Sequence, residues 1–405
     1  MPTFKYKART REGQMLAATV EAEDARAAAR MIREKGLFVA EITEPGRGLR
    51  TEIKIGNIQF PPTLKDLAVF CRQLATMIGA GLPLVQSLAV LERQTEHSGL
   101  VEITRKVRGD VESGSNLSDA LSRHKVFSRL FINLVRAGET SGSLDTILER
   151  LAVFMENELA LRGKIRTAMT YPVIVFVFAV GVAYFLLTGI VPQFSSILVE
   201  LGSELPMITR FLMALSEGLQ AITPFIIPIA VTLFLAFRAY YRTERGRRVV
   251  DGFKLRMPIF GPLSSKTSLS RFSRTLSLLI SSGVNIIESL EITRGTAGNA
   301  VIEDILEETK TSIQSGEAVS STLQAHPRIF PPMLSSMVAI GEETGALDTM
   351  LSKVADFYER EVDEAVGALT AAIEPAMIIF LGAIVGLIVA GMFLPMFQII
   401  GTLSQ

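Results

Sequence analysis

Cysteine and histidine are almost missing from this 405-residue chain: Cys71 stands alone, and His97, His124 and His326 are the only histidines. One cysteine excludes a disulfide framework within the chain and any multi-cysteine metal site. Cys71 lies in an apolar helical pattern, which assigns it to core packing. Each histidine falls in a polar stretch between predicted helices, with no second histidine at ligand spacing, so no metal centre is expected. Neither sign of charge is in surplus, since 41 basic residues cancel 41 acidic ones. Phosphate binding needs a basic excess, so nucleic acid is not an expected partner. The N-terminus, MPTFKYKARTREGQ, has no apolar run of the kind that marks a cleavable signal peptide, and none is expected. No GxxxxGK followed by Ser or Thr occurs, and GxSxG and HExxH are absent as well. Without those cradles for phosphates, nucleophiles or zinc, an enzyme is not expected, and no cofactor is implied.

Long apolar runs are what the chain does have. No charge occurs between Arg166 and Glu200, between Glu217 and Arg238, or after Glu374. About 20 helical residues at ~1.5 Å each cross a ~30 Å hydrocarbon layer, so all three runs qualify as spans. None holds an ionisable residue, which argues against an intramembrane aspartic protease and an ion-coupled transporter. Arg162, Lys164 and Arg166 precede the first span. Arg238, Arg242, Arg245, Arg247, Arg248, Lys254 and Arg256 end or follow the second, while Glu200, Glu204 and Glu217 dominate the loop between them. Positive flanks stay inside, which predicts two large cytoplasmic parts with the N-terminus cytoplasmic.

Those two parts are copies. FCRQLATMIGAGLPLVQSL, starting at Phe70, lies over FSRTLSLLISSGVNIIESL, starting at Phe272. Phe70, Arg72, Leu74, Ile78, Gly81, Ser87 and Leu88 recur 202 positions later, and one inserted residue then makes the offset 203. GETSGSLDTIL at Gly138 therefore returns as GEETGALDTML at Gly341, and Pro172 returns as Pro375 at the mouth of its span. Apolar residues recur every three or four positions, as at Leu64, Leu67, Cys71, Leu74 and Ile78, which predicts helices. Gly81, Gly99, Gly114 and Gly138 punctuate them as C-caps. Six antiparallel helices are expected per copy, the last running on into a span.

The first 45 residues alternate instead. FKYKA and LAATVEA read as strands around REGQ, DARAAARMIREKG as a helix closed by Gly36, and LFVAEI as a last strand. The expected organisation is thus a small α+β module at 1–45, a linker at 46–63, a helical bundle at 64–170 and a span at 171–191. A loop at 192–221, a span at 222–241, a second bundle at 242–374, a span at 375–398 and a tail at 399–405 complete a mainly α membrane protein.

The repeated turn is the best candidate for specific function. A structural reading has Gly138 and Gly341 ending one helix, Ser143 or Gly345 starting the next, and Asp145 or Asp348 complementing the new helix dipole. That reading leaves Glu139 and Glu342 unexplained. A contact role, or less directly a cation held with the nearby aspartates, remains open for them. Gly382, Gly386 and Ala390 form a small-residue stripe suited to close helix packing between the halves or between subunits.

RQLATMIGAGLPLVQSL, the HKVFSRLFINLVRAGETSGSLDTIL block, AMTYP and AAIEPAMII, in this order, resemble the GspF/PilC family of inner-membrane platform proteins. The resemblance covers nearly the whole chain and leans towards the type IV pilus branch rather than type II secretion. It implies a non-enzymatic scaffold coupling hexameric assembly, and also retraction, ATPases to pilin extraction, with the 192–221 loop and the tail periplasmic. It also implies inner-membrane alignment proteins, membrane lipid and further copies of the chain as partners, in a dimer or higher assembly. The residues matching the family pattern are Arg72, Gly81, Gly138, Glu139, Gly142, Gly341, Glu342 and Gly345, with Pro172 and Pro375 at the membrane boundary. Ser281-Ser282 in place of Gly79-Ala80, and Asn285 in place of Pro83, predict that the second bundle packs differently.

Overall fold

The computed structural model describes residues 3–9, 15–22, 25–34, 38–43, 61–200, 206–258 and 260–403. The chain divides into two units, Met1–Phe60 and Pro61–Gln405. In the small unit β1 (Thr3–Arg9) lies between β2 (Met15–Glu21) and β3 (Phe38–Thr43), antiparallel to both, with α1 at Ala25–Glu34. Alternation along the strands gives a core of Ala8, Val20 and Ala22, closed by Ala28 and Ile32 from the helix. This is the α+β module expected at the N-terminus. REGQ, Gly36 and linker residues 46–60 lie outside the described residues.

The large unit begins with α2 (Leu64–Gly79), α3 (Leu84–Gln94), α4 (Ser98–Glu112), α5 (Leu117–Ser122), α6 (Arg129–Ser141) and α7 (Leu144–Phe185). A capping box starts α2: the Asp66 N–H donates to Thr63 Oγ1 at 3.3 Å, and the Thr63 N–H returns to Asp66 Oδ2 at 2.7 Å. Leu67, Cys71 and Leu74 bury the face that the periodicity marked, and burial pushes the Cys71 thiol up to about 12.

Helix α9 (Met207–Tyr241) leads into the second copy, which repeats the six helices. They are α11 (Phe260–Ser281), α12 (Ile286–Thr296), α13 (Ala300–Gln314), α14 (Val319–Ala325), α15 (Pro332–Thr344) and α16 (Leu347–Leu403). One further helix, α10 (Glu244–Arg256), precedes them, which gives the second bundle seven helices among the described residues. The aromatic contacts recur too, Phe70–Phe127 in the first copy and Phe272–Phe330 in the second. The two cores fuse, because Leu278, Leu279 and Ile292 pack into the first bundle's cluster.

Among the described residues three helical stretches are long and apolar enough to cross a membrane, Leu144–Ile197, Met207–Tyr241 and Leu347–Phe393. Large apolar side chains such as Phe178, Ile227 and Ile379 point outward along them, as lipid-facing residues do. The chain is a mainly α membrane protein with a duplicated domain. Pro172 and Pro375 lie inside α7 and α16 without ending either helix, so each bundle's last helix is continuous with its span. The stretch expected as a loop at 192–221 is largely helical. α7 passes through a π-helical turn (Leu186–Ile190) into α8 (Val191–Glu200), and α9 starts at Met207, with 201–205 outside the described residues. Packing explains it: Leu212 of α9 is buried against Leu187, Val191 and Ile388. The 399–405 tail is helical as far as Leu403.

Candidate functional site

Each repeated turn is built from parts with separate tasks. Gly142 ends α6 in the left-handed conformation, φ 70°, and Gly345 ends α15 at φ 69°. The Ser143 N–H reaches back to the Gly138 carbonyl at 3.0 Å, and the Ala346 N–H to that of Gly341 at 3.0 Å, as in Schellman closures. Gly138 and Gly341 are therefore one turn inside their helices and not, as the spacing had indicated, at the ends. Their role is close approach. A Cβ on Gly138 would meet Leu144 Cα at 3.1 Å, and one on Gly341 would meet Leu347 Cα at 2.8 Å. Ser143 begins α7, and Asp145 and Asp348 sit in the first turns of α7 and α16, where a negative charge favours the helix dipole. Gly99, another expected C-cap, lies buried in the first turn of α4.

The glutamates have a partner that local sequence does not show. The Glu139 carboxylate accepts from the Leu117 and Ser118 N–H groups, at 2.5 and 3.0 Å, capping α5 from across the bundle. Glu342 accepts from the Val319 and Ser320 N–H groups of α14 at 2.6 and 2.9 Å. A carboxylate at a helix N-terminus satisfies orphan donors and complements the dipole. Both charges are thus spent on the fold, and among the described residues no group of three His, Cys, Asp or Glu side chains could hold a metal ion.

Arg72 clamps the first helix of its bundle to the last. It donates through Nε and Nη2 to Glu156, both at 2.6 Å, and through Nη1 to Glu149 at 2.5 Å. Its copy, Arg274, donates to Glu359 at 2.9 Å and Asp356 at 2.5 Å. Such forked pairs fix orientation as well as distance. The clamp therefore sets how each long helix leaves its bundle. Gly81 turns the chain after α2 at φ 84°.

A second set of contacts joins the copies. Arg271 donates to both carboxylate oxygens of Glu158, at 2.6 and 3.1 Å. Lys164 pairs with Asp363 at 2.8 Å, and Arg150 donates to the Ser281 carbonyl and hydroxyl at 3.0 and 2.9 Å. Arg271, Glu158, Lys164 and Asp363 border a cleft of about 260 Å³ between α7, α11 and α16. The sequence carried a signal for four of the joining residues, which break the duplication. Arg271 has Val69 as its counterpart, Lys164 has Gly367, Asp363 has Ala160, and Ser281 has Gly79. The Ser281 departure thus supplies a contact between bundles, while Asn285 caps α12 through the Ile287 N–H at 2.9 Å.

A buried hub lies where α9, α10 and α13 meet. Asp251 is fully buried, accepting from Tyr241 Oη at 2.9 Å, Lys254 Nζ at 2.9 Å and the Ala300 N–H at 3.1 Å. Burial alone would raise its pKa, but these donors outweigh it and hold the carboxyl below the ordinary aspartate value. Its neighbours Arg247, Arg248 and Lys254 read in the sequence as a span's positive flank, which concealed it.

In the third span Gly382 and Gly386 face open space, and Ala390 is half-buried. The close helix approach within the chain occurs instead at Gly391, where an added Cβ would meet Leu212 Cδ1 at 2.2 Å.

The type II secretion system protein F family model matches residues 70–192 and again 272–395, and the model of that protein's N-terminal domain matches 1–43. The chain is 68% identical over 404 residues to the type IV pilus assembly protein PilC of Thermus thermophilus, covering all of both chains. It is 40% identical to the Myxococcus xanthus PilC, over 99% of this chain and 96% of that one. It is 30% identical to the type II secretion system protein F of Vibrio cholerae, over all of both. The matched segments are the two bundles with the spans that follow them, and on that full-length agreement the chain belongs to the type II secretion system protein F family, the GspF/PilC family of non-enzymatic assembly proteins.

Proposed function

We propose that this protein is the inner-membrane platform of a type IV pilus machine, taking up the motion of a cytoplasmic assembly ATPase and passing it to pilins leaving the bilayer. The observation that carries this reading is mechanical. α7 and α16 run unbroken from the bundles into the membrane-spanning stretches, and Arg72 and Arg274 fix them to their bundles. A displacement applied to either bundle reaches the membrane through one stiff element. The charge flanks favour a multi-pass arrangement with the N-terminus and both bundles cytoplasmic. A dimer or higher assembly, and contacts with inner-membrane alignment proteins, belong to the same proposal.

Because Glu139 and Glu342 are occupied inside the fold, contact with the motor is probed one residue further on, at exposed Thr140 and Glu343. Site-specific photo-crosslinking in cells, with mass spectrometry of the adducts, is expected to recover a pilus assembly ATPase from one of these positions. Adducts from neither position, together with adducts to secretion components elsewhere, would refute the pilus reading.

The secretion platform is the second reading, favoured by the full-length match to the Vibrio cholerae protein. Deletion in the native host separates them: loss of pili supports the first, and loss of exported enzymes with pili intact supports the second.

A further inference from the structure

Helix α10 pairs three of its five cations with acidic residues of its own bundle. Arg247 pairs with Glu303, Arg248 with Asp304 at 2.9 Å and Lys254 with Asp251 at 2.9 Å, so three of its cations are turned onto the second bundle or its own hub. The outer face carries Val249 and Phe253, 60% and 65% exposed, with Arg245 and Arg256 on the same arc. At ~100° per residue these four side chains fall within about 80° of one another, and no acidic residue shares that arc. A helix packed on a water-soluble bundle normally does the reverse.

Its position supplies the reason. α10 starts three residues after α9, a membrane-spanning stretch, ends at Tyr241. The junction is tight: a Cβ on Gly246 would meet the Tyr240 carbonyl oxygen at 2.0 Å, so only glycine lets α10 fold back this closely. Tyr241 is tied to Asp251 at 2.9 Å, which holds α10 at a fixed angle to the span. Near the end of α9 Phe234, Phe237 and Tyr240 are exposed, as are Val249 and Phe253 on α10. Arg238 and Arg242 mark the border, without an ion-pair partner among the described residues.

We propose that α10 is an interfacial helix. Its Val249–Phe253 face sits among the acyl-chain ends of the leaflet into which the second span emerges, and Arg245 and Arg256 bind anionic phospholipid headgroups. The helix lies between the second span and the second copy, so it fixes the second bundle against the membrane surface. The inference needs only that α9 crosses the bilayer, and it stands apart from any motor contact.

The chain contains no tryptophan, so an introduced one reports without background. The full-length Phe253→Trp protein is placed in nanodiscs of phosphatidylcholine with 30% phosphatidylglycerol, with or without brominated acyl chains. Blue-shifted emission is expected, with bromolipid quenching several-fold stronger than for Ile340→Trp, an exposed site on α15. Quenching should weaken in pure phosphatidylcholine, and adding Arg245→Glu and Arg256→Glu should remove that lipid dependence. Water-like emission without quenching would overturn the proposal. Blue-shifted emission without quenching would overturn it too, because it places Phe253 against protein, such as a second copy. Equal quenching in both lipids, untouched by charge reversal, would overturn the anionic-headgroup assignment.

Discussion

Arg271 and Glu158, one from each copy of the duplicated domain, form a forked ion pair with both side chains at least three-quarters buried. Beside it, Lys164–Asp363 and Arg150–Ser281 complete a joint along α7. A duplicated chain could have left its halves as separate bodies. Here each contact that locks them together uses at least one residue that the duplication does not repeat: Arg271, Lys164 with Asp363, and Ser281.

The joint is testable through its central pair. Glu158→Ala or Arg271→Ala leaves a partly buried charge without its partner and should lower stability by about 1–3 kcal/mol. The double variant should cost less than the sum of the two, a coupling of about 1–2 kcal/mol. Thermal unfolding of the purified protein measures it. Simple additivity would mean that the pair contributes no coupling between the copies.

Glu139→Ala and Glu342→Ala should each cost about 1–2 kcal/mol, the value of a lost helix cap. Hydrogen exchange locates the effect: the Leu117 and Ser118 amides should lose protection in the first variant, and the Val319 and Ser320 amides in the second. Glutamine, which keeps an acceptor but not the charge, should fall between. Unchanged exchange at those four amides would return both glutamates to the surface as contact residues.

The two turn glycines should fail unequally. Gly138→Ala brings a methyl to 3.1 Å from Leu144 Cα, whereas Gly341→Ala brings one to 2.8 Å from Leu347 Cα, and backbone cannot swing aside. The first should cost about 1 kcal/mol and the second about 3 kcal/mol, the lower and upper ends of overpacking. Melting temperatures of the two variants, compared side by side, give the ordering.

How much of this was legible follows from the range over which each signal acts. Helical period, the apolar runs and the internal copy are written locally or as self-similarity, so the spans, the six-helix pattern and the N-terminal strands could be read directly. Glu139 could not be explained because its partners are the backbone N–H groups of Leu117 and Ser118, on a helix that it meets only after folding. Gly138 was misplaced because a glycine needed for close approach looks, in sequence, like one needed for a cap. The 192–221 stretch looked like a loop because its charges end the apolar runs, yet Leu212 still has an apolar cluster to pack against. Asp251 was hidden among arginines whose direction, inward rather than outward, only tertiary structure decides.

Asp251 ties stability to pH. Its carboxyl is held below the ordinary aspartate value, so the folded state binds its proton more weakly than the unfolded chain does. The resulting stabilisation is fully present above the unfolded value near 4 and is lost as pH falls through the folded value. Protonation would also leave the Lys254 ammonium without its charge partner. Asp251→Asn lacks the charge at every pH. Its melting temperature should therefore lie furthest below wild type near pH 7, and the gap should close as pH drops below about 4. A gap that stayed constant across that range would show that Asp251 acts through its shape and hydrogen bonds alone. A closing gap would identify the carboxylate as the charge that holds the second span, α10 and the second bundle in one fixed arrangement.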